Sequence, residues 1–418
     1  MGRFVGIGFG AIQAGLFVRE ASRSGAFESI TIAARRADLV EAVNRDGRFQ
    51  INVAQTDRIV SETINGVRAL LLGPNDRDAL IEALTDATEI AVAVSSVADY
   101  RDQGPYGLDQ LLAGAVLRKA GGHGPKALIY AAENHHEAAR LLEHAIVDAA
   151  LKIDPDVDVS SHFQTVDTVI GKMSRIVSDP DELEPLGVAE MTPGSGRAFL
   201  VEAFNRIQIS EVDPERTSGR GIDVFEEKDD LHPFEDAKLH GHNATHALLA
   251  YLGTLAGHQW MADVLQDQRI APMARDAFLN ESGAALRAKH QGQDWLFTID
   301  GYRAYVDDLI GRIGNPFLRD TCERIGRDIE RKLGWDDRLI GTVRVCLDQG
   351  VESSRYAIAA LAAHQLWRGH VREFASMQAL WLGQGADEAA AAPVLDLLNS
   401  QKAAFQTLLA DLAAEPAA

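Results

Sequence analysis

Lys238, Asn243 and His246 fall in one short run, KLHGHNATH, followed by a long apolar stretch. Asn243 and His246 are three residues apart, so on a helix they share a face. Lys238 lies just upstream, on the first turn of that helix or immediately before it. An amine, a carboxamide and an imidazole can converge on one oxygen. A lysine that is partly desolvated gives up its charge more readily and can serve as a general base. The asparagine amide can donate to a carbonyl or a developing alkoxide, and the histidine can polarise or orient. Taken alone the run also fits a bland reading, in which the histidine is a satisfied core residue and the lysine a surface charge.

A second candidate lies at the other end of the chain. FVGIGF leads into Gly8-Phe9-Gly10-Ala11-Ile12-Gln13. Glycines at a strand-to-helix junction allow a tight turn and close approach of a pyrophosphate, and the helix N-terminus supplies N–H donors. Gly8, Gly10, Ala11 and Ile12 are therefore candidate dinucleotide contacts, although Gln13 stands where a third glycine is usual. The next strand candidate ends in Ala34-Arg35-Arg36. A dinucleotide site specific for NAD(H) places an acid at this point, against the ribose hydroxyl. Two guanidinium groups in its stead favour a 2′-phosphate, so NADP(H) is expected over NAD(H). Solvated surface arginines, with Asp38 reaching the ribose, are the alternative. Ser95 closes the third strand candidate and is a further candidate cofactor contact.

These residues need elements to hold them. Phe4–Phe9, Ser29–Ala34, Glu89–Ser95 and Ala127–Ala132 are apolar on both faces, as buried parallel strands are. The stretch Ala11–Ser24 between the first two reads as a helix. The alternation predicts an α/β Rossmann-type domain with a parallel-rich sheet. From Lys238 onward the apolar spacing is helical almost throughout. The expected organisation is a dinucleotide-binding domain over 1–200 and a mainly α-helical substrate domain over 201–418.

Composition bounds the function. The chain has 418 residues, a formal charge of −20 and 46% apolar residues. Such acidity argues against nucleic acid or an anionic membrane as the main partner. Cys322 and Cys346 are the two cysteines, too few for a disulfide framework or a cysteine-based zinc site. A cytoplasmic protein, acting as a monomer or homodimer on a small molecule, is expected. His240, His242 and His246, with His232 and His258 nearby, could suggest a metal. No carboxylate completes a clear motif there, so no metal is expected.

KLHGHNATHALLAYLGTLAGHQ resembles the Lys-x4-Asn-x2-His signature of the polyol-specific long-chain dehydrogenases, the mannitol dehydrogenase family. Further ordered similarities support this: GFGAIQAG near the start, Glu133-Asn134 after a strand, Ser174-Arg175-Ile176 where the family has Asp-Arg-Ile, and Asn315–Leu333. Length and the KLHGHN-to-LAGHQ run are most similar to the family's polyol-phosphate members. The resemblance implies metal-independent, NAD(P)-linked interconversion of a polyol hydroxyl and a ketose carbonyl. It makes Lys238 the general acid or base, lets Asn134 and Asn243 cradle the oxygen, and has His246 bind or orient substrate. Arg175 and His242 are then candidate substrate contacts. Arg355 is another, in a segment where polyol-phosphate members carry a different His/Lys-containing motif. The site is expected in a cleft between the two domains. A sugar-acid oxidoreductase of the same family and a non-catalytic dinucleotide sensor or scaffold are the alternatives.

Overall fold

A computed structural model describes residues 1–101 and 104–414 of the chain. It divides into two compact units, Met1–His232 and Pro233–Ala418.

In the first unit the strands are β1 (Gly2–Ile7), β2 (Phe27–Ala34), β3 (Arg48–Ala54), β4 (Ile59–Asn65), β5 (Val67–Leu71), β6 (Glu89–Val92), β7 (Ala127–Ala131), β8 (Phe163–Val169), β9 (Ser174–Val177), β10 (Ala198–Glu202), β11 (Gln208–Ser210) and β12 (Glu226–Lys228). Among the described residues they form two sheets. The larger runs β12-β11-β8-β7-β6-β1-β2-β5, and the smaller β4-β3-β10-β9. Pairing is parallel from β5 through β8, and β11 joins β8 antiparallel. This is the Rossmann-type, parallel-rich sheet that the buried apolar runs imply.

Side-chain alternation along each strand feeds two cores at once. Phe4, Ile32 and Tyr130 point to the face covered by the helix from Ala11 to Ser24 and by the smaller sheet. Val5, Ala33 and Ile129 point to the other face, under helices Arg77–Asp86, Leu108–Ala120 and Ala138–Ile153. Both faces are buried, which is why these strands are apolar throughout.

The division at His232/Pro233 lies beyond the junction near residue 200 that the sequence suggests. The reason is that β10, β11 and β12 belong to the sheets of the first unit. The smaller sheet is not foreseen from sequence. Its strand β4 (IVSETIN) is polar and half exposed, so its apolar signal is weak.

The second unit is helical. Its central helix, Ala244–Leu255, is buried on every side over Ala244–Gly253, the mark of a core helix. Helices Cys322–Gly326, Ser354–Arg368 and Glu388–Ala413 pack on it. Among the described residues no helix is long and apolar enough to cross a membrane.

Candidate active site

In the first unit, β1 is flanked by β2 on one side and β6 on the other. Strand order reverses there, and ligands of such sheets bind at the carboxyl ends of the strands at that point. Gly8 sits at this edge with φ of 92°, donating its N–H to Ala33 O at 2.9 Å. A Cβ there would collide with the Ala93 carbonyl, so the turn requires glycine. Gly10 has open space around it, the room a phosphate needs. The helix begins at Ala11-Ile12, and Ala14 N–H donates to Gly10 O at 2.9 Å. This cradle fits a dinucleotide pyrophosphate.

Gln13 explains the missing third glycine. That glycine normally lets helix and strand pack closely. Here the Gln13 side chain is fully buried against Gly6 of β1, and a Cβ on Gly6 would overlap its amide. The small residue has moved from the helix to the strand.

A cavity of about 300 Å³ opens at the ends of β1, β2, β5 and β6, with Ile7, Arg35, Gly73, Val94 and Asp99 in its wall. Arg35 is exposed, with its guanidinium 3.9 Å from Asp99. Arg36 is also exposed and grips Asp38 with both Nε (3.0 Å) and Nη2. The sequence favours Arg35 and Arg36 as 2′-phosphate contacts over solvated charges. The structure puts Arg35 in the cavity wall and gives each an acidic neighbour. Ser95 is exposed just beyond β6.

Asn134 is exposed just past β7, next to a buried carboxylate. Glu133 accepts from Val94 N–H at 2.8 Å and from the Tyr100 hydroxyl. Burial pushes the Glu133 carboxyl up to about 7. This pair, which the sequence does not reveal, ties the end of β7 to the end of β6.

Arg175 lies in β9 of the smaller sheet and forms a bidentate ion pair with Glu182, one contact at 2.8 Å.

In the second unit Lys238, His242 and Asn243 sit in a π-helical segment, Ala237–Asn243, that runs directly into Ala244–Leu255. A π-helix bonds i to i+5, so residues five apart lie closer to one face than they do in an α-helix. Lys238 and Asn243 are five apart; in an α-helix they would diverge. The wider turn reduces the angle between them, with His246 three residues further on. Phe278 and Tyr302 close on this segment at Gly241, where a Cβ would come within 2.7 Å of both.

Burial pushes the Lys238 ammonium down to about 8; the Glu235 charge opposes this and Arg338 adds to it. His246 is buried and pushed down to about 4 by desolvation, so it is neutral at pH 7. Its Nε2 has no hydrogen-bond partner among the described residues. The His242 ring lies 5.8 Å from that of His246 and is likewise held neutral by burial.

The structure adds residues that the sequence reading did not assign. Asp320 and Arg324 form an ion pair whose charges act on His246. Arg338 and Lys332 act there too, and Arg312 acts on His242. The Lys332 ammonium donates to the carbonyls of Ile325 and Arg327 and is pushed down to about 8 by burial. Arg355, by contrast, is engaged by Asp276 and by Glu281 at 3.1 Å.

Residues 230–377 match the mannitol dehydrogenase C-terminal domain family. The match assigns this C-terminal domain to that family. Two solved structures share the fold over nearly the whole chain. One is a D-sorbitol dehydrogenase in substrate-free form, with a TM-score of 0.72 and 15% identity, covering 97% of this chain and 91% of that one. The other is Pseudomonas fluorescens mannitol 2-dehydrogenase in a ternary complex with NAD and D-mannitol. Its TM-score is 0.70 and its identity 16%, covering 99% of this chain and 95% of that one.

Proposed function

We propose that this chain is a metal-independent NAD(P)-dependent oxidoreductase that interconverts a polyol, or a polyol phosphate, and the corresponding ketose. The observation that carries the reading is that Lys238 and Asn243 share one π-helical turn while burial brings the lysine to about 8. A general acid–base works best when its pKa lies near the working pH.

In oxidation the neutral Lys238 amine takes the proton from the substrate hydroxyl. The carboxamides of Asn134 and Asn243 donate N–H to the oxygen as it gains charge. The orphan Nε2 of neutral His246 takes a hydrogen bond from, or gives one to, a neighbouring hydroxyl and orients the substrate. The glycine turn at Gly8–Ile12 would hold the dinucleotide, whose nicotinamide would supply a hydride acceptor for the carbinol carbon in oxidation and a hydride donor in reduction. In reduction Lys238, as the ammonium, gives its proton to the carbonyl oxygen.

Arg35 and Arg36 at the end of β2, where an NAD-specific site carries an acid, support NADP(H) over NAD(H). The sequence resemblance within the family runs to mannitol-1-phosphate 5-dehydrogenase. Arg312, Arg324 and Arg338 near His242 and His246 are paired with Asp308, Asp320 and Asp337, so an anionic group on the substrate would have to compete with those acids. A phosphate and a carboxylate could each do so, which keeps a sugar-acid oxidoreductase as the second reading.

A panel of polyols, polyol phosphates and sugar acids, screened with NADPH/NADP and NADH/NAD at the nicotinamide absorbance band, tests this. Turnover of a polyol or its phosphate is expected. Turnover confined to sugar acids would select the second reading. Tight dinucleotide binding with no turnover across the panel would point to a sensor.

A further inference from the structure

The smaller sheet lies over the dinucleotide turn, and β10 shows how. Val201 packs against Gly15, where a Cβ would overlap its side chain. Two residues earlier, Phe199 meets Phe9 of the glycine turn edge to face, with ring centroids 5.2 Å apart. Residues at i and i+2 of a strand face the same way and are spaced by about 7 Å. Arg197 continues this face by one more step, and its carbonyl still accepts from Met191 N–H at 2.7 Å. The row Val201, Phe199, Arg197 therefore runs along the first helix, over the turn, and past it toward the end of β2.

Arg197 is partly buried, and its guanidinium makes no hydrogen bond or ion pair with any described residue. Its nearest charges are Arg36 and Asp38. Asp38 is already gripped by Arg36. Burial and the neighbouring Arg36 both work against the ionised form of Arg197. A partly buried arginine beside another arginine, with the nearby Asp38 carboxylate taken, is short of one anion.

We propose that Arg197 and Arg36 together clamp the 2′-phosphate of NADP(H), so that a residue of the smaller sheet determines cofactor specificity in the larger one. The clamp rests on the NADP(H) reading above. Arg36 reaches the phosphate from the start of its helix and Arg197 from the opposite side, across the turn. Asp38 also lies near Arg197, and its pairing with Arg36 limits its repulsion of the phosphate. Arg35, in the cavity wall beside Asp99, is left to the adenosine side.

The test uses the full-length protein and two probes that differ only in the 2′-phosphate, adenosine 5′-monophosphate and adenosine 2′,5′-bisphosphate, titrated by calorimetry. The wild type is expected to prefer the bisphosphate. R197A should reduce that preference by roughly tenfold or more, leave monophosphate affinity unchanged, and be partly rescued in R197K. R36A should act alike. If the wild type shows no preference, the NADP(H) reading and the clamp both fall. If the preference exists and is lost in R36A but kept in R197A, the reading stands and the clamp falls. Equal loss of both probes in R197A would make Arg197 a structural residue and overturn the proposal.

Discussion

The two units carry their candidate sites in different ways. In the first unit the site is built from backbone: a glycine turn, strand ends and a helix N-terminus. Its selectivity comes from side chains added around that frame. In the second unit the site is built from side chains on one buried helix, tuned by desolvation and by the helix's own winding. A backbone site tolerates change in its surroundings and fails when the turn fails. A buried side-chain site depends on single atoms and on the charge state that burial imposes.

The largest expected effect is in the second unit. K238A should lower turnover roughly 10²–10⁴-fold with dinucleotide affinity unchanged. Stopped-flow turnover and a fluorescence titration of NADPH check the two halves of that statement. Next come the two carboxamides. N134A and N243A should each lower kcat by about 10²-fold. Because both are proposed to serve one oxygen, the double variant should fall short of the product of the singles. Full additivity in that cycle would mean that they act on separate events.

Breaking the backbone site calls for a different change. G8A places a Cβ on the Ala93 carbonyl at a φ that side chains rarely adopt. It should lower stability by about 1–3 kcal/mol and abolish dinucleotide binding. Urea melts and the same titration report both effects.

The buried histidines give the mildest prediction. His246 is depressed from its ordinary 6.5 to about 4, first by burial. The unfolded chain therefore binds this proton more readily than the folded one between those values. Stability supplied by the neutral ring is present above pH 6.5 and is lost as pH falls toward 4, by about 3 kcal/mol from this one group. Urea melts at pH 7 and pH 4.5 should show a shallower acid loss in H246Q than in the wild type.

How much was legible in the sequence follows the same division. The glycine turn was legible because its geometry admits few residues, and Gly8-x-Gly10 after an apolar strand announces it. The exchange of Gly6 and Gln13 was hidden, because it needs the facing surfaces of strand and helix. Arg35 and Arg36 stood out by position, whereas Arg197 lies far along the chain and comes to light only through the pairing of β3 with β10. In the second unit the identities of Lys238, Asn243 and His246 were visible. The π-turn was not, since a five-residue spacing looks off-face until the winding changes. The junction near residue 200 missed because strands after it return to the first unit's sheets. The charges around His246 come from Asp320 to Arg338, beyond the reach of local spacing.

The most direct test of the central claim is the pH dependence of polyol oxidation and ketose reduction in the wild type and K238A, using the substrate pair found in the panel. The account predicts that oxidation rises and reduction falls through a single ionisation near pH 8, and that both limbs vanish with most of the rate in K238A. Retention of either limb in K238A, at anything close to the wild-type rate, would contradict it.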